Sequence, residues 1–103
     1  MRYNLGETCF SANTLVRNQP VRGNRDYHIK NIMNPKDCQR ECEKDDDCNY
    51  WTWFGPEIRG KQAKDLERKN TCWLKSGARK TRSNCKWCYG KVSGPKTCNN
   101  FFV

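Results

Sequence analysis

Eight cysteines, Cys9, Cys38, Cys42, Cys48, Cys72, Cys85, Cys88 and Cys98, are the densest chemistry in this chain of 103 residues. Thiols can close disulfides or, as thiolates, hold zinc. Zinc ribbons need two Cys-x-x-Cys knuckles, or cysteine pairs matched with histidine pairs. Here there is one knuckle, Cys85 and Cys88, and one histidine, His28. The spacing Cys38-x3-Cys42-x5-Cys48 fits neither arrangement. An even set of cysteines in so short a chain reads instead as a disulfide framework built in an oxidising compartment.

Other reactive groups are sparse. His28 stands alone, in an alternating stretch that reads as a half-buried strand, so no serine or cysteine has a base beside it. Asp45, Asp46 and Asp47 supply paired carboxylates, but in a charged turn without the apolar walls that tune an acid/base pair. No glycine-rich phosphate loop occurs. The chain reads as a non-enzyme that needs no cofactor and no metal.

Recognition remains. Lys and Arg number 20 against 11 Asp and Glu, a formal charge of +9. Arg59, Lys61, Lys64, Arg68 and Lys69 fall in one segment. Lys75, Arg79, Lys80, Arg82, Lys86, Lys91 and Lys96 fall in the last third, and Arg17, Arg22 and Arg25 near the start. Basic patches attract polyanions over long range. In an oxidising compartment the available polyanion is a sulphated glycosaminoglycan or a sialylated glycan rather than nucleic acid. Equally, such charge can serve solubility alone. The candidate ligand-binding residues are Lys61, Lys64, Lys75, Arg79, Lys80, Arg82, Lys86 and Trp87. Trp51 and Trp53, two apart on one strand face, could stack on sugars or a partner, although a core role for one or the other is the stronger reading. Trp87 is the better candidate for exposure.

Val, Ile, Leu and Phe make up only 15 of the 103 residues. With a large net charge that is a composition of disorder, which covalent cross-links can offset in a small core. The length allows one small domain and excludes barrels and doubly wound nucleotide folds. No apolar run approaches the ~18 residues of a membrane span. The opening Met-Arg-Tyr-Asn-Leu-Gly lacks the apolar stretch of a secretory leader, and reads as the start of a mature chain or of an excised domain.

The elements that must position these residues are few. A short strand is readable at Thr14 to Arg17 and another over Asp26–Ile32, with Tyr27, Ile29 and Met33 on alternate positions. Asn34-Pro35-Lys36-Asp37 starts a helix, with Asn as N-cap and Pro at the first position, ending near Glu43 or Lys44. Cys38 and Cys42, four apart, share one helix face. Asn49–Phe54 is the strongest strand, stopped by Gly55-Pro56. Residues 57–70 read as an exposed loop with a helical turn at Ala63–Arg68. Thr71–Lys75 is a strand, Ser76–Asn84 a basic hairpin-like loop, and Tyr89–Ser93 a last strand stopped by Gly94-Pro95. The sum is an α+β fold, one helix packed on a small twisted antiparallel sheet.

The order of parts is specific. Asp37-Cys38-Gln39-Arg40-Glu41-Cys42 on a helix is followed by Cys48 and an aromatic-Thr-aromatic strand. Then come Cys72-Trp73-Leu74-Lys75, Val92-Ser93-Gly94-Pro95 and Cys98. The series resembles the PAN/apple domain over about residues 9–98, leaving 1–8 as an extension and 99–103 as a tail. The closing Ser-Gly-Pro-x-x-Cys is most like the apple domains of apicomplexan microneme adhesive proteins, themselves similar to those of coagulation factor XI and plasma prekallikrein. The resemblance implies the pairs Cys38–Cys72, Cys42–Cys48 and Cys9–Cys98. The last would close a loop of roughly 90 residues, about 4–5 kcal/mol of chain entropy. It leaves Cys85 and Cys88 to pair with each other as a staple. A redox role would need a βαβ setting with the first cysteine at a helix start. The resemblance further implies a secreted adhesive module, one unit of a tandem array, binding host-cell glycans. The alternative is a protein partner such as a protease or a fellow adhesin. Growth-factor relatives bind heparin on the helix and the strand before it. Here Asp26, Glu41 and Glu43 occupy that region, which moves the expected site to the loops at 59–69 and 75–86.

Overall fold

The computed structural model describes residues 10–17, 19–59, 66–77 and 80–97. Seven strands and one α-helix appear among them: β1 (Ser11–Ala12), β2 (Thr14–Arg17), β3 (Ile29–Lys30), α1 (Pro35–Lys44), β4 (Tyr50–Phe54), β5 (Thr71–Lys75), β6 (Lys80–Ser83) and β7 (Lys91–Pro95). A 3-10 turn, Val21–Gly23, lies between β2 and β3. Five strands form an antiparallel sheet in the order β1-β7-β4-β5-β3, and β2 pairs with β6 in a second, two-stranded sheet. One helix packed on antiparallel strands is the α+β fold expected, with the second sheet added.

The helix begins as its sequence dictates. The Asn34 side chain accepts from the Asp37 N–H at 2.9 Å, capping one otherwise unpaired helix-end donor, and donates to the Asp37 carboxylate at 3.1 Å. Cys38, Gln39 and Cys42 form the buried face of α1. Cys38 is bonded to Cys72 on β5, and Cys42 to Cys48 just before β4. Cys85 is bonded to Cys88. Cys9 and Cys98 lie outside the described residues.

Side chains alternate across each strand, and β4 is covered on both faces. Trp51 and Trp53 point toward α1 and pack with Cys38, Cys42, Cys48, Cys72, Leu74, Val21 and Ile32. Their indole N–H groups donate to the carbonyls of Pro95 and Ile32, at 2.9 and 2.6 Å. They are core, which removes them as sugar platforms. On the opposite face Thr52 meets the second sheet. The Val16 N–H donates to Thr52 Oγ1 at 3.1 Å, Thr52 and Ser93 hydroxyls lie 2.8 Å apart, and the Ser93 hydroxyl donates to the Thr14 carbonyl at 2.7 Å. Since Ser93 donates to Thr14, Thr52 must donate to Ser93 and accept from Val16. The three bonds lock the layers with every group satisfied.

Four expectations are corrected. The strand over Asp26–Ile32 shrinks to Ile29–Lys30, because Asn24 folds the chain back onto Asp26 and Tyr27. His28 therefore lies just before β3. Asn31 has φ +63°, which breaks the alternation, so Ile32 enters the core while Met33 is exposed. The segment Ser76–Asn84 is no hairpin: β6 pairs with β2, with Thr14 opposite Ser83, a contact between distant parts of the chain. The last strand runs through Gly94 and Pro95 instead of stopping there, while Tyr89 and Gly90 belong to a turn. Pro95 closes β7 opposite Tyr50, an end position that tolerates a residue without N–H.

Candidate functional site

Because Cys72 and Leu74 face α1, Thr71, Trp73 and Lys75 must face the other way. On that side β2 covers Thr52 and Ser93 but leaves the β5 end open. Trp73 is half-buried there. His28 stacks on it, rings 4.5 Å apart and 18° from parallel, and Phe54 leans on it at 5.3 Å. The indole N–H donates to Thr71 Oγ1 at 2.8 Å, and the Thr71 hydroxyl donates to the Arg68 carbonyl at 2.5 Å. These contacts fix the ring in one orientation. The Arg68 guanidinium lies 5.6 Å and the Lys75 ammonium 6.0 Å from its centre, within cation–π range. Pro20 pairs with Lys75 along the stretch of β5 edge that β3 leaves.

Pro20, Arg25, Phe54, Arg68, Trp73 and Lys75 line a depression of about 190 Å³. Three of the six are cations and none is an acid. Burial pushes the Lys75 ammonium below its ordinary value of 10.5, since a charged group loses water solvation there. An anionic ligand would restore what that ammonium lacks.

A second cleft, about 480 Å³, opens at the C-terminal end of α1, where Glu41, Asp45, Asp46 and Asp47 gather with Arg22 and Lys44. Arg22 makes two hydrogen bonds to the Asp45 carboxylate at 3.0 Å, and its backbone N–H donates to Asp47 at 2.6 Å. The Arg22 hydrogen bond holds the Asp45 carboxyl below the usual carboxylate range. The excess of carboxylates here repels a polyanion, as Glu41 in the sequence implies.

Of the eight candidate residues, Lys61, Lys64 and Arg79 lie outside the described residues. Lys80 opens β6. Arg82 is half-buried on β6 opposite Leu15, its buried Nε without a hydrogen-bond partner among the described residues. Lys86 and Trp87 are exposed in the turn after β6. Lys75 alone of the eight lines the depression, and the fold gathers Arg25, Arg68, Trp73 and Phe54 around it. Trp73 was not among the candidates. The alternation of Cys72 and Leu74 about it was the signal that could have found it. Cys85 opens a turn and not a helix, so the redox setting is missing around it.

A family model of the PAN domain matches residues 22–75, just over half of the chain. The matched span carries β3, α1, β4 and β5, with the two disulfides that tie the helix to the strands. This chain belongs to the PAN domain family. PAN domains are adhesion modules that bind proteins or carbohydrates, a binding family and not a catalytic one. A disulfide-rich PAN domain is typical of extracellular proteins. No curated protein matches the chain. Five of the six residues lining the depression fall within the PAN span, whereas β2, β6, β7 and the Cys85–Cys88 turn lie outside it. No described helix is long and apolar enough to cross a membrane.

Proposed function

We propose that this PAN domain is an extracellular adhesion module that binds acidic glycans, sulphated or sialylated, on its Trp73 face. One observation supports the reading above the rest: a fixed aromatic ring beside a depression rimmed by Arg25, Arg68 and Lys75, with no carboxylate among its described lining residues. A pyranose can lay its C–H face on the indole while its sulphate or carboxylate meets the cations, Arg68 and Arg25 offering planar, two-pronged donors. Arg82 and Lys86, with Lys61, Lys64, Arg79 and Lys80, add long-range attraction. A shallow site of this kind binds weakly. Several copies in a tandem array of such domains, each spanning about residues 9–98, would amplify it. The likeness of Ser93-Gly94-Pro95 and Cys98 to microneme apple domains supports a host-cell glycan as the target.

Heparin-affinity elution tests the proposal with two charge-matched variants. Arg68→Glu/Lys75→Glu should elute at markedly lower salt than Arg82→Glu/Lys86→Glu, although both change the net charge equally. Equal shifts would mean that retention follows net charge alone, and would refute the site.

A further inference from the structure

A second surface gathers exposed aromatic and basic side chains. Residues 86–90 form a turn closed by the Cys85–Cys88 disulfide and by the hydrogen bond from Cys88 N to Cys85 O at 3.0 Å. Its base is buried: Cys88 has no exposed surface, and the Gly90 N–H donates to Asn13 Oδ1 at 3.2 Å. The turn at 55–58 docks against it, with Gly55 N donating to Gly90 O at 3.0 Å. On this rigid base Trp87 and Tyr89 project into solvent, 51% and 39% exposed. The Arg59 guanidinium lies over the Tyr89 ring at 4.1 Å. Trp, Tyr and Arg are the three side chains most enriched where protein interfaces concentrate their binding energy. Here the disulfide constrains the backbone that carries Trp87 and the cation–π stack orders Tyr89 and Arg59 before any partner arrives, which lowers the ordering cost of association.

We infer that Trp87, Tyr89 and Arg59 form a docking knob for a partner protein that presents an apolar slot flanked by carboxylates. The apolar slot follows from Trp87. The carboxylates follow from charge complementarity: Arg59 and Lys86 border the aromatic rings, and Glu57 is the one acid in the two turns.

Selection of a randomised displayed-peptide library on the immobilised full chain tests this. Enriched peptides should carry Leu, Phe or Trp between acidic residues. A synthetic copy of the strongest should bind in solution at least tenfold more weakly to Trp87→Ala and to Arg59→Glu. Its affinity for Trp73→Ala should be unchanged, which separates this surface from the proposed glycan site. Trp87 is exposed, so its truncation leaves the core intact, and the unchanged melting temperature of Trp87→Ala checks that. The inference is overturned if no peptide is enriched, if enriched peptides lack acidic residues, or if binding ignores Trp87. It is also overturned if vesicles of anionic phosphatidylserine bind the chain through Trp87 while the peptides do not, for the knob would then be a membrane contact.

Discussion

Replacing Thr52 by valine is nearly isosteric, adds apolar surface and suits a strand, so on propensity alone it should be harmless. The hydroxyl relay between the two sheets says otherwise. Thr52→Val removes the acceptor of the Val16 N–H and the donor to Ser93 Oγ, 3.1 and 2.8 Å away. Thr52 is fully buried and Val16 is 3% exposed, so water cannot replace either partner. An unsatisfied buried N–H costs about 1–3 kcal/mol and the lost hydroxyl bond about 1 kcal/mol. The added methyl recovers at most about 1 kcal/mol. The net loss should be about 1–3 kcal/mol. Thr52→Ser keeps all three bonds and loses one methyl group, about 1 kcal/mol. Urea unfolding with the disulfides intact measures both, through the midpoint at constant slope. The serine variant should be the more stable of the two. A valine variant as stable as the serine variant would refute the relay.

Removing the Cys38–Cys72 bond, which spans 34 residues, by double alanine substitution should cost about 4 kcal/mol in the chain-entropy relation, read as a lower urea midpoint; a loss under about 1 kcal/mol would contradict it. Gly90→Ala places a Cβ 2.7 Å from Ile58 N at φ +83°, so it should cost at least about 2 kcal/mol, given about 1–2 kcal/mol for the left-handed backbone alone. Lys75→Met should be at least as stable as the parent at neutral pH while losing heparin affinity. Folding disfavours the charged Lys75, so the parent gains on the variant as pH rises toward 10.5, which melting temperatures across pH 7–10 follow. Asp45→Asn should lower the melting temperature near pH 6. The Arg22 hydrogen bond depresses the carboxyl, so its contribution is present above the ordinary carboxyl value of about 4 and is lost as pH falls below it through the lowered folded value; the two melting curves should converge in acid.

The parts of the fold legible in the sequence are those encoded by neighbours in the chain. Asn34 and Pro35 announce α1, and the aromatic run at 50–54 announces β4, because caps and β-propensity act over a few residues. What escaped depends on distant segments. The pairing of Thr14–Arg17 with Lys80–Ser83 has no local signature, and without it the second sheet and the relay through Thr52 are invisible. Asn31 looks like any strand-flanking residue until its left-handed backbone turns Ile32 inward and Met33 outward. The candidate site shows the same division. Charge density along the chain singled out Lys75, but Arg25, Arg68 and Trp73 meet it only because β5 places them on one face and Pro20 closes its edge. The structure also separates Lys86 and Trp87, grouped with Lys75 by charge and exposure, onto another turn.

The central claim is that the Trp73 face binds acidic saccharide. Titrating the isotope-labelled chain with a sulphated heparin oligosaccharide, and separately with a sialylated trisaccharide, while following amide and indole N–H resonances by NMR tests it directly. The account predicts saturable shifts at the Trp73 indole and at the amides of Arg25, Arg68 and Lys75 with at least one of the two, and none from its uncharged counterpart. Shifts centred on Trp87 and residues 80–86, or no saturable shifts with either sugar, would contradict it.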